Sequence, residues 1–334
     1  MKRLSLQVVS LTAAIVCGGF VPAHANEANP SALVDEMSMA LKTLNYEGVF
    51  VHLQGMSVTS MHILHASDAS GELERMTSLD GEAREVIRDH SLVTCIWAES
   101  EAVVVNRSKP RDLLPDVTST LVHNDRYDFT LGKPDRVAGR DTHVVEVKPR
   151  DKFRYGYRFW IDQETKMLLR SMLLDGPDMA VEQVLFTSIE YPEKVDLARF
   201  DVDTKEEYIS WIEPKTAQAV DSLSAQQNYK TNAVDRVGFL RLPDGYEEVS
   251  ETYRPMPIDD GPISHVMVSD GMASVSVYVE HVKAPEQDKS ALGLSKMGAM
   301  NAYGLSLDNA FVTVVGEVPA STVMAIAEAV QLKP

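Results

Sequence analysis

Five basic residues in a short central stretch are the strongest sign of chemistry in this chain. They are Lys148, Arg150, Lys152, Arg154 and Arg158. All five occupy even-numbered positions, and Asp151 is the one acidic residue among them. Because side chains two residues apart lie on the same face of an extended chain, we expect this basic strip to present a row of cations that could bind phosphate groups or an acidic peptide. The alternative is the solvated outer face of a strand, where charged side chains are common.

Aromatic residues occupy the opposite parity of the same stretch. Tyr155, Tyr157 and Phe159 alternate with basic residues, which is the period-2 pattern of a strand with two unlike faces. Together with Phe50 and Trp97, they are predicted to line an apolar cavity in which an acyl chain could lie. The alternative for each of them is packing in an ordinary core. A cavity bordered by the basic strip would suit an amphiphile with an anionic head group and an apolar tail.

Known catalytic motifs are missing from the sequence. It contains no nucleophile elbow, phosphate-binding loop, dinucleotide fingerprint or zinc-protease helix. His62 and His65 lie three apart in a predicted strand, so their side chains point to opposite faces and make poor metal co-ligands. We therefore expect that the protein is not an enzyme and that it holds no cofactor and no metal ion.

A partner protein is the third kind of ligand that the sequence suggests. Met267, Met272 and Tyr278 lie in a C-terminal region of short strands and apolar loops. Such a region could offer an edge or a patch to a partner. The alternative is an accessory domain that only adds stability.

The first residues have the pattern of a signal peptide. Lys2 and Arg3 precede an apolar run, and residues 23–25 read Ala-His-Ala, the pattern of a signal-peptidase site. We predict a signal peptide over residues 1–25 and a mature protein in the periplasm without a membrane anchor. Cys95 is then the only cysteine, so we expect no internal disulfide and a buried, unreactive thiol.

The mature chain is strongly acidic. Removing residues 1–25 takes away two basic residues and no acidic ones, which leaves 30 basic and 49 acidic residues and a net charge of −19. This balance excludes a nucleic acid as partner, because nucleic-acid binding requires a cationic surface. Residues 107–158 are the exception, with 12 basic and 8 acidic residues.

Hydrophobic periodicity predicts the elements that would position these residues. Asn29 and Pro30 precede an amphipathic helix, and about ten short strands follow. They predict an α+β fold in which a large curved antiparallel sheet is covered by helices. A smaller α+β domain would follow, with an irregular segment over residues 297–303 and a final helix over residues 321–332. We place the large domain at residues 26–205, a polar linker at 206–232 and the small domain at 233–334.

Five stretches resemble one known family. They read GEAREVIRD (residues 81–89), RYGYRFWIDQETKMLLRSMLL (154–174), VEQVLFTSIE (181–190), SDGMASVSVYVE (269–280) and NAYGLSLDNAFVTVVGEVPASTV (301–323). In combination and in this order, they resemble the RseB/MucB family over essentially the whole mature chain. One departure is Lys166, which follows a turn where a Gly would be expected for a tighter bend.

The resemblance implies a periplasmic negative regulator of the envelope-stress sigma factor. Such a protein binds the periplasmic segment of a membrane-spanning anti-sigma factor and protects it from regulated proteolysis. The resemblance further implies release when lipopolysaccharide or another anionic amphiphile binds, and self-association into a homo-oligomer. The large domain would resemble the half-barrel of lipoprotein carriers, and the small domain would contribute to partner binding.

The leading hypothesis is therefore a regulatory binding protein. The alternative is a periplasmic carrier or chaperone for lipids or lipoproteins. A carrier would share the half-barrel but would have no need for the second domain.

Overall fold

The computed structural model describes residues 29–68, 71–89, 92–97, 102–106, 125–201, 210–211, 236–255, 262–281, 292–307 and 310–333. The predicted signal peptide and most of the predicted linker lie outside these residues. None of the described helices is long and apolar enough to cross a membrane.

Helix α1 (Pro30–Thr43) opens the described chain, as the sequence predicts. The side chain of Asn29 caps it by accepting a hydrogen bond from the backbone N–H of Ser31 at 3.1 Å. Pro30 has no N–H and therefore suits the first helical position. The buried face of the helix consists of Leu33, Val34, Met37 and Ala40.

A thirteen-stranded sheet follows in the described part of the chain. Its strands are β1 (Tyr46–Gln54), β2 (Ser57–Asp68), β3 (Gly71–Ser78), β4 (Arg84–Asp89), β5 (Leu92–Trp97), β6 (Ala102–Asn106), β7 (Tyr127–Leu131), β8 (Asp135–Val137), β9 (Arg140–Pro149), β10 (Gly156–Asp162), β11 (Leu168–Leu174), β12 (Ala180–Glu190) and β13 (Ser210–Trp211). Their order is β13-β6-β5-β4-β3-β2-β1-β12-β11-β10-β9-β7, with β8 paired to β9. The pairing is antiparallel throughout, apart from the short parallel contact of β13 with β6.

The pairing of β1 with β12 joins the two halves of this sheet. Phe50 lies opposite Phe186 in that register, and their ring centroids are 5.7 Å apart. Strands β1 and β12 are far apart in the chain, so no tight turn can bring them together. Their pairing depends on the core to which both strands contribute. The α+β class and the large antiparallel sheet of the prediction are confirmed.

Strand β10 is buried on both of its faces. Phe159 and Ile161 pack in a cluster with α1, whereas Trp160 packs in a second cluster with Phe50 and Phe186. The pattern of two unlike faces predicted for this strand is therefore wrong, since apolar packing continues on the side that carries Trp160.

The small domain has one six-stranded sheet and one helix among the described residues. Its elements are β14 (Arg236–Phe239), β15 (Glu247–Pro255), β16 (Pro262–Ser269), β17 (Ser274–His281), β18 (Gly293–Met297), β19 (Met300–Leu307), β20 (Ala310–Gly316), α2 (Ala320–Ala329) and β21 (Val330–Lys333). The large domain also contains a short 3-10 helix (Leu197–Phe200) after β12. The sheet order is β15-β16-β17-β20-β19-β18, and β14 pairs separately with β21. Valines from β16, β17 and β20 form a core with Val323 and Ile326 of α2.

Three expectations need correction. Residues 297–303 are not irregular, because β18 and β19 form a hairpin that turns at Gly298 and Ala299. The final helix ends at Ala329, since Val330–Lys333 pairs with β14. Residues 210–211 fall in the predicted linker yet pair with β6 of the large sheet.

Lys166 gives a test of backbone strain. Its φ of 63° lies in the left-handed region, which costs a residue with a Cβ about 1–2 kcal/mol relative to glycine. We expect Lys166→Gly to raise the free energy of unfolding by about 1 kcal/mol, measured by urea unfolding. Lys166→Ala keeps the strain and should give no such gain, so equal stability of the two variants would contradict the explanation.

Candidate ligand cleft at the domain junction

The basic strip does not form one row. Strand β9 ends at Pro149 and β10 begins at Gly156, with bends in most of the six residues between them. The alternation of side chains holds only within a strand, so the prediction of a single face is wrong. Arg154 is buried as a clamp between the domains and also borders a cleft lined by Lys148, Lys152 and Arg158, whereas Arg150 lines a different cavity.

Arg154 is the buried clamp between the two domains. Its Nε donates to Asp270 Oδ2 at 2.7 Å, its Nη1 to Asp151 Oδ2 at 2.5 Å and its Nη2 to the carbonyl oxygen of Asp244 at 2.8 Å. The side chains of Arg154 and Asp270 are each only 1% exposed. Gly245 makes room for this contact, because a Cβ there would lie 2.9 Å from Arg154 Nη2.

The charge of Arg154 is stabilised by its neighbours. Burial alone lowers the pKa of Arg154, but the carboxylates of Asp270 and Asp151 more than offset burial, so the net pKa is raised. The guanidinium also lies 5.0 Å from the ring centroid of Tyr246. A buried cation with this many partners is fixed in position, and it fixes the two domains to each other.

The loop around Arg154 adds uncharged contacts to the clamp. The hydroxyl groups of Tyr246 and Thr322 donate to the carbonyl oxygen of Phe153 at 3.1 and 2.8 Å. The hydroxyl of Ser321 donates to the carbonyl oxygen of Lys152 at 2.6 Å. Each of these bonds joins the large domain to the small one.

Tyr155 makes a second contact with the small domain. Its hydroxyl donates to the carbonyl oxygen of Ala299 at 2.8 Å and accepts a hydrogen bond from Asn301 Nδ2 at 2.9 Å. Burial raises the pKa of Tyr155, so the hydroxyl keeps its proton and its role as donor. Tyr155, predicted to line an apolar cavity, therefore lies in the domain junction.

A cleft of about 650 Å³ lies beside the clamp. It is lined by Glu146, Val147, Lys148, Pro149, Asp151, Lys152, Arg154, Gly156, Tyr157, Arg158, Leu174, Asp175, Gly176, Pro177, Pro319, Ala320 and Ser321. Four of the five basic-strip residues and Tyr157 thus share one concave surface between the domains. The mixture of cations with apolar side chains suits a ligand that is itself partly anionic and partly apolar.

Acidic residues compensate part of the charge in the cleft. Lys148 donates to Glu146 at 2.8 Å and so lowers the pKa of that carboxyl group. Arg158 Nη2 lies 3.4 Å from Glu146 and 3.5 Å from Asp178, while its Nε is buried without a hydrogen-bond partner among the described residues. Lys152 Nζ lies 5.4 Å from the ring centroid of Phe153. Arg158 Nε is thus a buried donor whose hydrogen-bonding capacity is unused within the described part of the chain.

The N-terminus of α2 also opens into the cleft. Pro319, Ala320 and Ser321 line it, and no side chain in the described part of the chain caps this end of the helix. The first N–H groups of a helix attract anions because they have no intrahelical acceptor. The helix end therefore adds partial positive charge to the cleft that Lys152 and Arg158 also line.

Arg150 lies apart from this cleft. Its guanidinium binds Asp128 at 2.6 and 3.0 Å, and the hydrogen bond lowers the pKa of Asp128. It lines a different cavity of about 680 Å³ that includes Arg126 and Arg241. A ligand in the first cleft would not meet it.

The predicted aromatic cavity is not assembled in this structure. Phe50 and Phe159 have no exposed surface and belong to two different core clusters. Tyr157 stacks on Phe159 with centroids 5.5 Å apart and is the only one of the five that lines the cleft. Trp97 is half-buried at the end of β5. Whether any of them contacts a lipid stays a prediction.

The three predicted partner-binding residues lie in two places. Met267 and Tyr278 are half-buried on the face of the small sheet opposite its valine core, where Tyr278 stacks on His265 with centroids 4.6 Å apart. Met272 lies at the β16–β17 turn and packs against the core that holds α1. Met272 therefore lies at the domain junction.

Metal ligands are not grouped in the described part of the chain. No three His, Cys, Asp or Glu side chains there are arranged to hold a metal ion. His62 contacts Glu47 at 3.1 Å, whereas His65 contacts the carbonyl oxygen of Leu44 at 2.8 Å. Cys95 is free and half-buried, and burial raises the pKa of its thiol.

Sequence reasoning missed the acidic half of the clamp. Asp270 had only the appearance of a turn residue, and one of its oxygens does accept the N–H groups of Met272 and Ala273. The other oxygen binds Arg154, which is 116 positions away in the chain. No local pattern marks a contact over such a separation.

Two family models match this chain. One, described as the MucB/RseB N-terminal domain, matches residues 29–204, and the other, the MucB/RseB C-terminal domain, matches residues 231–331. The Sigma-E factor regulatory protein RseB of Salmonella typhimurium is 29% identical over 346 aligned positions, which cover 100% of this chain and 99% of that protein. The sigma factor AlgU regulatory protein MucB of Pseudomonas aeruginosa is 25% identical over 312 positions, 90% of each chain.

A solved structure shares the fold of most of this chain. It is the crystal structure of MucB in complex with MucA(peri), with a TM-score of 0.68 and 23% sequence identity. The match covers 92% of this chain and 100% of that one. Both domains are thus part of the shared fold.

The clamp predicts a large loss of stability when Arg154 is removed. Arg154→Ala leaves the carboxylate of Asp270 buried without a cation, which should lower the free energy of unfolding by about 3–5 kcal/mol. Adding Asp270→Asn should recover part of this loss, because it removes the unpaired charge. Urea unfolding followed by tryptophan fluorescence measures both effects.

Arg150→Ala is the matched control. It removes a guanidinium from the same loop, but the ion pair with Asp128 is exposed and such pairs contribute little. If Arg150→Ala and Arg154→Ala lowered stability equally, the buried clamp would not be the reason.

Proposed function

Because this chain belongs to the MucB/RseB family, we propose that it is an exported regulatory protein that binds the periplasmic segment of a membrane-spanning anti-sigma factor. The observation that carries the proposal is the match of both domains, in one order, to relatives named as sigma factor regulatory proteins. The shared fold with a MucB that was crystallised with MucA(peri) supports the same class of partner.

Binding would protect the anti-sigma factor from regulated proteolysis. A protease needs an extended segment of its substrate, and a segment held against a folded protein is not free to enter the protease. The clamp of Arg154 with Asp270 supports this role, because it holds the two domains together as a single surface.

An anionic amphiphile such as lipopolysaccharide would release the partner. The cleft supports this part of the proposal with Lys148, Lys152 and Arg158 and with the N-terminus of α2. Phosphate groups would bind these donors, and the apolar lining near Tyr157 would receive the start of an acyl chain. Release requires that the lipid bind better to the partner-free protein than to the complex.

The second candidate function is a carrier or chaperone for lipids or lipoproteins. The same mixed lining of the cleft favours it, since an amphiphile could bind there for transport as well as for signalling. The two functions differ in the effect of the protein on the fate of an anti-sigma factor.

We also propose that the protein self-associates, as its family resemblance implies. Light scattering with and without lipopolysaccharide would measure the change in assembly.

A protection assay tests the regulatory function. We expect the mature chain, residues 26–334, to slow cleavage of the anti-sigma factor's periplasmic segment by its regulatory protease, and lipopolysaccharide to restore the rate. Cleavage is followed on gels over time. An unchanged rate at saturating protein would reject the regulator and leave the carrier.

The cleft predicts which cations recognise the lipid. Neutralising Lys148→Gln, Lys152→Gln and Arg158→Gln together should weaken lipopolysaccharide binding at least about tenfold, because charge-assisted hydrogen bonds to phosphate are lost. Arg154 is left in place, since its loss would disturb the junction. Calorimetric titration measures the affinity.

The control is a triple variant with the same change in net charge. Lys133→Gln, Arg136→Gln and Lys194→Gln remove three exposed cations that lie outside the cleft. A comparable loss of affinity in both triple variants would mean that the lipid responds to net charge and not to the cleft.

A further inference from the structure

Three turns meet at the domain junction. They are the β1–β2 turn at Gly55 and Met56, the β11–β12 turn over residues 175–179 and the β18–β19 turn at Gly298 and Ala299. The first two belong to the large domain and the third to the small domain.

Direct contacts hold these turns together. A Cβ placed on Gly298 would lie 2.5 Å from Gln54 Cγ, so the small-domain turn rests on the end of β1. Lys296 Nζ lies 3.5 Å from Asp175 Oδ2. Ala299 is fully buried in a cluster with Tyr155 and Val181. Gln54 in turn donates to Glu182 at 3.4 Å.

Each of the three turns exposes a methionine. Met56 is 102% exposed, Met179 is 63% exposed and Met297 is 71% exposed. Of the four methionines that the described residues leave strongly exposed, only Met39 on α1 lies elsewhere. Val58 and Leu294 are exposed on the adjoining strands. We use the name methionine patch for Met56, Met179, Met297, Val58 and Leu294.

An apolar patch shared by two domains indicates a docking surface. Apolar side chains gain nothing from full exposure to water, and contiguous exposed groups of them mark interaction sites. Methionine is flexible and polarizable, so several of them can adapt to an irregular apolar partner. Because the patch takes residues from both domains, whatever covers it bridges the junction.

Charge indicates the kind of partner. Asp175, Asp178 and Glu182 border the patch, and the side chain of Asp178 is 87% exposed. The whole chain carries a net charge of −17. Lys296 lies 3.5 Å from Asp175 and Arg158 lies 3.5 Å from Asp178, so these two cations offset part of the negative charge of the rim. The exposed Asp178 and the acidic chain as a whole still favour a peptide with apolar residues flanked by lysine or arginine over an anionic lipid.

We infer that the methionine patch is the docking surface for a cationic amphipathic segment in the periplasmic part of the anti-sigma factor. This inference rests on the proposed function. The apolar face of the segment covers Met56, Met179 and Met297, and its basic residues meet Asp175 and Asp178. Binding in this place stabilises the junction, because the partner binds only while the two domains are joined.

The test is calorimetric titration of the mature protein with the synthetic periplasmic segment. In the patch variant Met56→Ser, Met179→Ser and Met297→Ser are combined, and the affinity should fall at least about thirtyfold because the apolar anchors of an interface dominate its binding energy. The control combines Met39→Ser, Leu197→Ser and Leu240→Ser, three exposed apolar residues outside the patch. We expect the control to change the affinity less than about twofold. Circular dichroism verifies the fold of both variants.

A charge reversal tests the acidic rim. Asp178→Lys should weaken binding of the segment, and the exposed Glu193→Lys, away from the patch, should not. Wild-type affinity in the patch variant, or an equal loss in patch and control variants, would overturn the inference. A parallel titration uses vesicles that contain lipopolysaccharide. If the patch variant lost affinity for these vesicles but not for the segment, the occupant would be a lipid and the inference would be overturned. If the wild-type protein does not bind the segment at all, the proposed function itself fails and the inference with it.

Discussion

The guanidinium group of Arg154 is buried between the two domains, and its need for partners constrains the rest of the junction. A charge removed from water needs partners on every side, and here the partners come from both domains. Asp151 belongs to the same loop, while Asp270 and the carbonyl group of Asp244 belong to the small domain. The position of the small domain is therefore coupled to the position of one side chain.

The other features of the junction follow from that coupling. With Arg154 turned inward, the neighbouring carbonyl groups of Lys152 and Phe153 meet the hydroxyl groups at the start of α2. This contact brings the end of α2 beside β10 and leaves the cleft between them. The cleft is thus a product of domain packing, and neither domain contains it alone. The large sheet supplies a fixed base for this junction. Strand β1 pairs with β12 to join its two halves, and β10 is packed in a core cluster on each of its faces.

Local signals in the sequence predicted much of the fold. Asn29 and Pro30 identified the start of α1. Lys166, noted as a departure from the family resemblance, has a φ of 63°, a conformation that glycine adopts more easily. The candidate site was harder to predict from the sequence, because its geometry depends on contacts between residues that are far apart in the chain. The even spacing from Lys148 to Arg158 suggested one row of cations, but the strand ends at Pro149 and the alternation ends with it. The aromatic residues were recognised as apolar, yet no pattern in one strand tells whether Phe159 fills a core or borders a cavity. Asp270 could not be assigned to Arg154 because only the packed domains bring them together.

The β11–β12 turn belongs to two surfaces at once. Leu174, Asp175, Gly176 and Pro177 line the cleft, while Met179 belongs to the methionine patch and Asp175 borders it. A ligand in the cleft and a ligand on the methionine patch would both contact this short turn. The turn conformation that one ligand stabilises therefore affects the binding of the other. If occupancy of the cleft lowers the affinity of the patch by some factor, thermodynamic reciprocity requires the patch ligand to weaken the cleft ligand by the same factor. Antagonism between the two would then need no rearrangement of the sheet, since a five-residue turn is already common to both sites.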